Sequence, residues 1–239
     1  MTTTTFMDHD IQEVSNAQKA RILRDALPYI REYYGKVVVV KYGGNAMVNE
    51  ELRKAVLADI VLLHLIGVKV VLVHGGGPHI KEALNQVGLE SKFLNGLRVT
   101  DEATMKIVQM VLAGQVNKDL VNLLGALGGK AIGLCGIDDA MIQVQKQSDE
   151  LGLVGEITHI NPELIHDSLA NGYIPVISSI GTDGKGVSYN INADTAAAEI
   201  AGALQAECMI SLTNIDGVLR NPDDPSTLFH SLTMQDVQQ

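Results

Sequence analysis

The chain contains no tryptophan, and aromatic residues make up only 4% of its 239 residues. Its interior therefore has to be built from Val, Ile, Leu and Ala, a composition suited to parallel strands buried on both faces. Cysteine is almost as scarce. Cys135 and Cys208 lie far apart, each in an apolar run, with no CxxC and no Cys/His cluster. That excludes a disulfide framework and a zinc site, and reads as two reduced core thiols in a cytoplasmic protein. Positive charge is also short: 18 Lys and Arg against 28 Asp and Glu give a net charge of −10. Such a balance argues against nucleic acid or an anionic membrane as partner. There is no apolar run of about eighteen residues to span a bilayer. The opening "MTTTTFMDHD" lacks the basic and apolar regions of a secretory signal.

What is present is a hydrophobic fraction of 46%, enough for a sizeable core, arranged in alternating strand and helix patterns. Residues 1–14 read as a polar, disordered arm. Residues 15–35 place Ile22, Leu23, Ala26, Leu27, Ile30 and Tyr34 at helical spacing, with Ser15 or Asn16 as cap, Pro28 as a kink and Gly35 as a stop. This helix either folds back on the body or serves as an interaction arm. Strands are then predicted at 37–40, 68–73, 131–135, 141–146, 153–160, 173–179 and 208–213, the pair 141–146 and 153–160 as an antiparallel excursion. Helices are predicted near 49–66 and 78–87, as one long helix after "TDEAT", near 162–172, and over 193–204. The alternation predicts an α/β fold, a three-layer α/β/α sandwich around a mainly parallel central sheet. Ligands of such sheets bind beyond the carboxyl ends of the strands.

Three strand-end turns carry the chemistry: "KYGGNA", "HGGGPHI" and "SLTNIDGVL". Gly43 and Gly44 in the first, and Gly76 and Gly77 in the second, either serve turn geometry alone or let backbone amides approach an anion. Lys41 adds a full charge to the anion reading. Neither turn is a Walker A loop or a GxGxxG dinucleotide fingerprint. Arg98 in "NGLRVTD" sits beside a helix start at Thr100 or Asp101. It is either an exposed loop arginine or a fork for a carboxylate. Asn190, Asn192 and Asp194 alternate along "YNINADTAAAEIAGAL" and run into a helix, for which Asp194 alone would suffice as cap. His74 and Asn117 read as structural, and no Ser/His/Asp arrangement supports nucleophilic catalysis.

Taken together, "KYGGNAM", "VLVHGGGPHI", "NGLRVTD", "NGYIPVISSIG", "YNINADTAA" and "LTNIDGVL" resemble, from about residue 36 onward and in family order, the acetylglutamate kinases of the amino acid kinase family. The resemblance implies transfer of phosphate from ATP, with Mg²⁺ carried by the nucleotide and no metal site on the protein, to the side-chain carboxylate of N-acetyl-L-glutamate. It implies Lys41 as the lysine on the transferring phosphoryl group and Asp194 as the aspartate orienting it. Gly43 and Gly44 would line the phosphoryl path, with Gly76 and Gly77 beside the substrate. Arg98 would grip the α-carboxylate and Asn190 the acetylamino acid. Thr213, Asp216 and Gly217 fall where the family contacts nucleotide.

Residues 36–180 would then form the amino-acid half and 181–239 the start of a nucleotide half, with a second family lysine expected beyond "SLTMQDVQQ". An N-terminal helix of this kind resembles that of family members forming dimers or hexamers, inhibited by arginine, some binding a PII signalling protein. The alternatives are a related kinase of acetylaminoadipate or of a carrier-bound amino acid, or a truncated, non-catalytic acetylglutamate-binding module.

Overall fold

The computed structural model describes residues 14–47, 49–213, 217–221 and 223–237. The first helix, α1 (Asn16–Tyr33), opens with a reciprocal cap: Ser15 Oγ accepts from the Gln18 amide while Gln18 Oε1 accepts from the Ser15 amide. No residue of α1 is buried, and Ile22, Leu23 and Leu27 are exposed. The helix is thus not folded back to cover the body; its last turn meets it through Tyr33, which packs against the core.

The body runs β1 (Val37–Tyr42), α2 (Glu50–Leu65), β2 (Lys69–His74), α3 (Gly77–Gln86), β3 (Phe93–Leu94), β4 (Leu97–Arg98) and α4 (Glu102–Gln109). It continues through α5 (Asn117–Ala126), β5 (Ala131–Cys135), β6 (Ile142–Lys146), β7 (Gly155–Ile160), α6 (Glu163–Ala170) and β8 (Ile174–Ser178). It goes on through β9 (Ile180–Thr182), β10 (Ser188–Asn190), α7 (Ala193–Ala203) and β11 (Cys208–Ser211) to a short helix, α8 (Met234–Val237). Five of these strands form the central sheet in the order β11-β1-β2-β8-β5, and every neighbouring pair is parallel. A second sheet, β10-β9-β6-β7, holds the expected antiparallel pair β6–β7.

Side chains alternate across a strand, and here both faces are apolar. Val38, Val40, Val70 and Leu72 point into a core shared with α2, α3, α4 and α5, whereas Val39, Val71, Val73 and Ile177 point into one shared with α6 and α7. These are the three layers expected from the sequence. Each fully buried valine contributes about 1.5–3 kcal/mol relative to exposure, so the valine-rich β1 and β2 anchor the sheet on both sides.

One expectation changes. The single long helix after "TDEAT" is α4 and α5 joined by a π-helical segment, Met110–Val116. Its widened turns carry Leu112 toward the Gly75–Gly77 turn: a Cβ on Gly76 would stand 2.6 Å from Leu112 Cδ2. A π-turn inserted in an α-helix often marks a functional site.

Candidate active site

Beyond the carboxyl ends of β1 and β2 lies a cavity of about 280 Å³. Lys41, Gly43, Gly44, Gly76, Gly77, Arg98, Asn190 and Asp194 all line it, so turns distant in sequence converge as the strand-end reading expects. Thr213 and Gly217 follow β11 and are outside the cavity lining. Asp216 lies outside the described residues.

Strand periodicity explains where Lys41 points. It shares a face with Val39, and that face is covered by α7. Lys41 Nζ accordingly meets Asp194 Oδ1 at 3.0 Å, and Ser211, paired with Lys41 across the β1–β11 ladder, donates from Oγ to the same oxygen at 3.3 Å. The ammonium folds over the turn: a Cβ on Gly43 would be 3.0 Å from Nζ. Gly44 has φ of 64°, a backbone that favours glycine.

Asp194 is not the cap of α7. Asn192 Oδ1 takes that role, accepting from the amides of Asp194 and Thr195 at 2.8 and 3.1 Å. Asp194 is thereby left in the first helical turn with its carboxylate available to Lys41. The N-terminal ends of α3 and α7 both line the cavity, adding the partial positive charge of their unpaired amides.

Arg98 is only 8% exposed, so the exposed-loop reading is excluded. Its guanidinium donates to Ser91 Oγ and, at 3.2 Å, to the Gly77 carbonyl, and lies 4.7 Å from the centroid of the Phe93 ring. Burial lowers its pKa from the ordinary arginine value, yet the group stays charged at any working pH. None of the ion pairs among the described residues involves it. A buried cation without an anionic partner is costly unless a ligand supplies one. The helix beside it is capped by Asp101, whose carboxylate accepts from the Thr104 amide at 2.7 Å.

Behind the second glycine turn, His74 is fully buried, with Nδ1 2.9 Å from the Gly75 carbonyl and Nε2 3.1 Å from Asn117 Nδ2. Burial pushes its pKa down to about 4, so it is neutral near pH 7 and structural, as the sequence suggested. Sequence reading missed Ser211 and Ser179, and took Thr100 only as a candidate helix start. Ser179 lines the cavity, and Thr100 accepts from Asn190 Nδ2 at 3.2 Å. Single hydroxyls at strand ends carry no spacing signal.

Two cations, two glycine turns and two helix N-termini around one cavity suit the transfer of a group between anions, with no acid–base dyad required. That is phosphotransferase chemistry on an α/β scaffold. The chain belongs to the amino acid kinase family, which it matches over residues 36–239.

It is 50% identical over 229 residues to an acetylglutamate kinase of Brachyspira hyodysenteriae, a match covering 95% of this chain and 80% of that one. It is 55% identical over 221 residues to the acetylglutamate kinase of Clostridium kluyveri, covering 92% and 78%. Among solved structures, N-acetylglutamate synthase from Neisseria gonorrhoeae, complexed with coenzyme A and N-acetyl-glutamate, has a TM-score of 0.77 at 28% identity, over 92% of this chain and 50% of that one. The crystal structure of smu.665 from Streptococcus mutans UA159 gives 0.71 at 34% identity, over 77% and 75%.

Proposed function

We propose that this chain is an ATP-dependent kinase that phosphorylates the side-chain carboxylate of N-acetyl-L-glutamate on the route to arginine. Identities of 50% and 55% to acetylglutamate kinases over most of the chain support the reaction class. The observation that carries the substrate is Arg98, a buried guanidinium without a carboxylate partner among the described residues, lining the same cavity as Lys41.

A carboxylate is already a nucleophile near pH 7, so the barrier lies in bringing two anions together. Lys41 supplies positive charge to the phosphoryl group in transfer, and Asp194 holds its ammonium in place. The amides of Gly43 and Gly44 face the phosphoryl path, and Gly76 and Gly77 border the substrate. Arg98 forks onto the α-carboxylate, and Asn190 meets the acylamino group. The glycine amides and Lys41 fit ATP phosphates, while Thr213, Asp216 and Gly217 are assigned to the nucleotide side. Mg²⁺ is assigned as an ion carried by the nucleotide, where it would neutralise phosphate charge.

Residues 36–180 are assigned to the amino-acid half and those from 181 to the nucleotide half. A cytoplasmic location accords with two free cysteines. The exposed apolar positions of α1 are assigned to a homo-oligomer, dimer or hexamer, with arginine as effector and a PII protein as partner, on the family resemblance.

Hydroxamate formation from ATP with a panel of N-acetylglutamate, acetylaminoadipate and free glutamate tests the reading. N-acetylglutamate is expected to turn over best. Preference for acetylaminoadipate would move the assignment to the related kinase, and acetylglutamate binding without nucleotide binding in calorimetry would make the chain a non-catalytic module.

A further inference from the structure

We propose that Thr100 is a positioning residue that fixes the amide orientation of Asn190, so that the site selects ligands with an N–H beside the carboxylate held by Arg98. The inference rests on the function proposed above and deepens it to a rule of substrate chemistry.

A threonine hydroxyl has a single hydrogen to donate. Thr100 is completely buried, and its Oγ1 donates to the Arg98 carbonyl at 2.7 Å. With that hydrogen committed, Oγ1 has only lone pairs to offer Asn190, 3.2 Å away. Asn190 must therefore turn its NH₂ group toward Thr100. Its Oδ1 is left for the cavity, which Asn190 lines.

The two residues are also held in register by the same stretch of backbone. The Thr100 amide donates to the Leu151 carbonyl at 2.9 Å, and the Leu153 amide donates to the Thr100 carbonyl. The Asn190 amide donates to the Leu153 carbonyl at 2.9 Å. This weave requires a glycine between: Gly152 has φ of 71°, and a Cβ there would stand 2.4 Å from the Thr100 carbonyl oxygen. The weave fixes where the two main chains sit, and the committed Thr100 hydroxyl then sets which edge of the Asn190 amide faces it.

Asn190 thus presents an acceptor to the ligand. An acylamino N–H satisfies it, whereas an ester oxygen in the same place would set acceptor against acceptor, the kind of mismatch polar sites reject strongly. The continuous path from Gly77 through Arg98 and Thr100 to Asn190 ties this acceptor to the carboxylate clamp. The spacing between N–H and carboxylate is then read as one unit.

The test compares N-acetyl-L-glutamate with 2-acetoxyglutarate, in which an ester oxygen replaces the N–H. The wild-type chain is expected to favour the amide by at least about tenfold in kcat/KM. Thr100→Val should lower kcat/KM for the amide about tenfold, mainly through KM, leave the ester within about twofold, and leave the KM for ATP unchanged. Thr100→Ser should restore the preference. Equal use of both substrates by the wild type, or a Thr100→Val variant that loses both equally, would overturn the inference.

Thermal unfolding checks that the valine variant folds; equal use of amide and ester by the wild type overturns the inference whether or not it does. Calorimetry separates failure of the proposed function from failure of the role of Thr100. A wild-type chain that neither binds nor phosphorylates N-acetylglutamate fails the proposed function, whereas one that does both without an amide preference fails only the role of Thr100.

Discussion

Lys41 Nζ and Asp194 Oδ1 are 3.0 Å apart, joining the end of β1 to the first turn of α7. The lysine side chain is 11% exposed and the carboxylate 57%. A pair with so exposed a partner contributes little to folding, about 0–1 kcal/mol. What it does is restrict a flexible four-carbon side chain to one place, over Gly43 and at the cavity wall. The relationship is one of positioning, and it separates cleanly from stability.

Asp194→Asn keeps the size of the side chain and removes its charge. The expected outcome is a kcat lower by roughly 10- to 100-fold, KM values within a few-fold, and unfolding free energy within about 1 kcal/mol of wild type. Steady-state kinetics paired with thermal unfolding measures both. A large loss of stability with unchanged kcat would place the pair in folding instead.

Lys41→Ala removes the charge itself. If the ammonium acts on the phosphoryl group in transfer, kcat falls by on the order of 10²–10³ while substrate affinity changes little. A rise in KM at constant kcat would make Lys41 a ground-state binding group.

Much of this geometry was legible beforehand because it follows from periodicity. The valine run of β1 sets the alternation that sends Lys41 to the α7 face, and the glycine turns fall at strand ends, where α/β sheets bind ligands. Other features have no local signature. Of Asn190, Asn192 and Asp194, the sequence pattern points to Asp194 as the cap, and only the backbone path into α7 makes Asn192 the cap and frees Asp194. The π-helical segment at Met110–Val116 keeps an ordinary helical hydrophobic pattern; the packing of Leu112 against Gly76 shows its consequence only in three dimensions. Strand β4 is two residues long, too short for a period, so the burial of Arg98 and Thr100 was out of reach of pattern reading.

Arg98→Lys should expose the difference between a fork and a point charge. The guanidinium already donates from one terminal nitrogen to Ser91 and from the other to the Gly77 carbonyl, and a lysine cannot keep those contacts while also meeting a carboxylate twice. The KM for N-acetylglutamate is expected to rise at least about tenfold with a smaller change in kcat and none in the KM for ATP. An ATP-side defect would move Arg98 to the other substrate.

Gly76→Ala tests the close approach made by the π-helical segment. The φ of Gly76 is 179°, outside the left-handed region that favours glycine, so the substitution reports chiefly on the close approach of Leu112. With a Cβ 2.6 Å from Leu112 Cδ2, overpacking is expected to cost about 1–3 kcal/mol and to raise KM. The double variant Gly76→Ala/Leu112→Ala should recover part of the KM defect, since the clash is gone, though it forfeits leucine packing. Strict additivity of the two changes in KM would show that Leu112 does not set the position of the glycine turn.

His74 links the same turn to pH. Its ring is neutral in the fold, with Nδ1–H donating to Gly75 and Nε2 accepting from Asn117, whose amide also reaches the carbonyls of Leu134 and Val176 at 3.1 and 2.8 Å. The folded pKa of about 4 lies below the ordinary value of 6.5. Above pH 6.5 both folded and unfolded chains hold the ring neutral, and its contribution to stability is fully present. As pH falls from 6.5 toward 4 the unfolded chain takes up a proton that the folded chain refuses, and that contribution is lost at on the order of 1 kcal/mol per pH unit. Carboxylates titrate through part of this window, so the informative quantity is the difference between wild type and His74→Gln in denaturant unfolding at stepped pH. The wild-type curve is expected to fall more steeply between pH 6.5 and 4 than that of the variant. Parallel curves would mean that the ring is charged in the fold, and the hydrogen-bond assignment to Asn117 would have to be reversed.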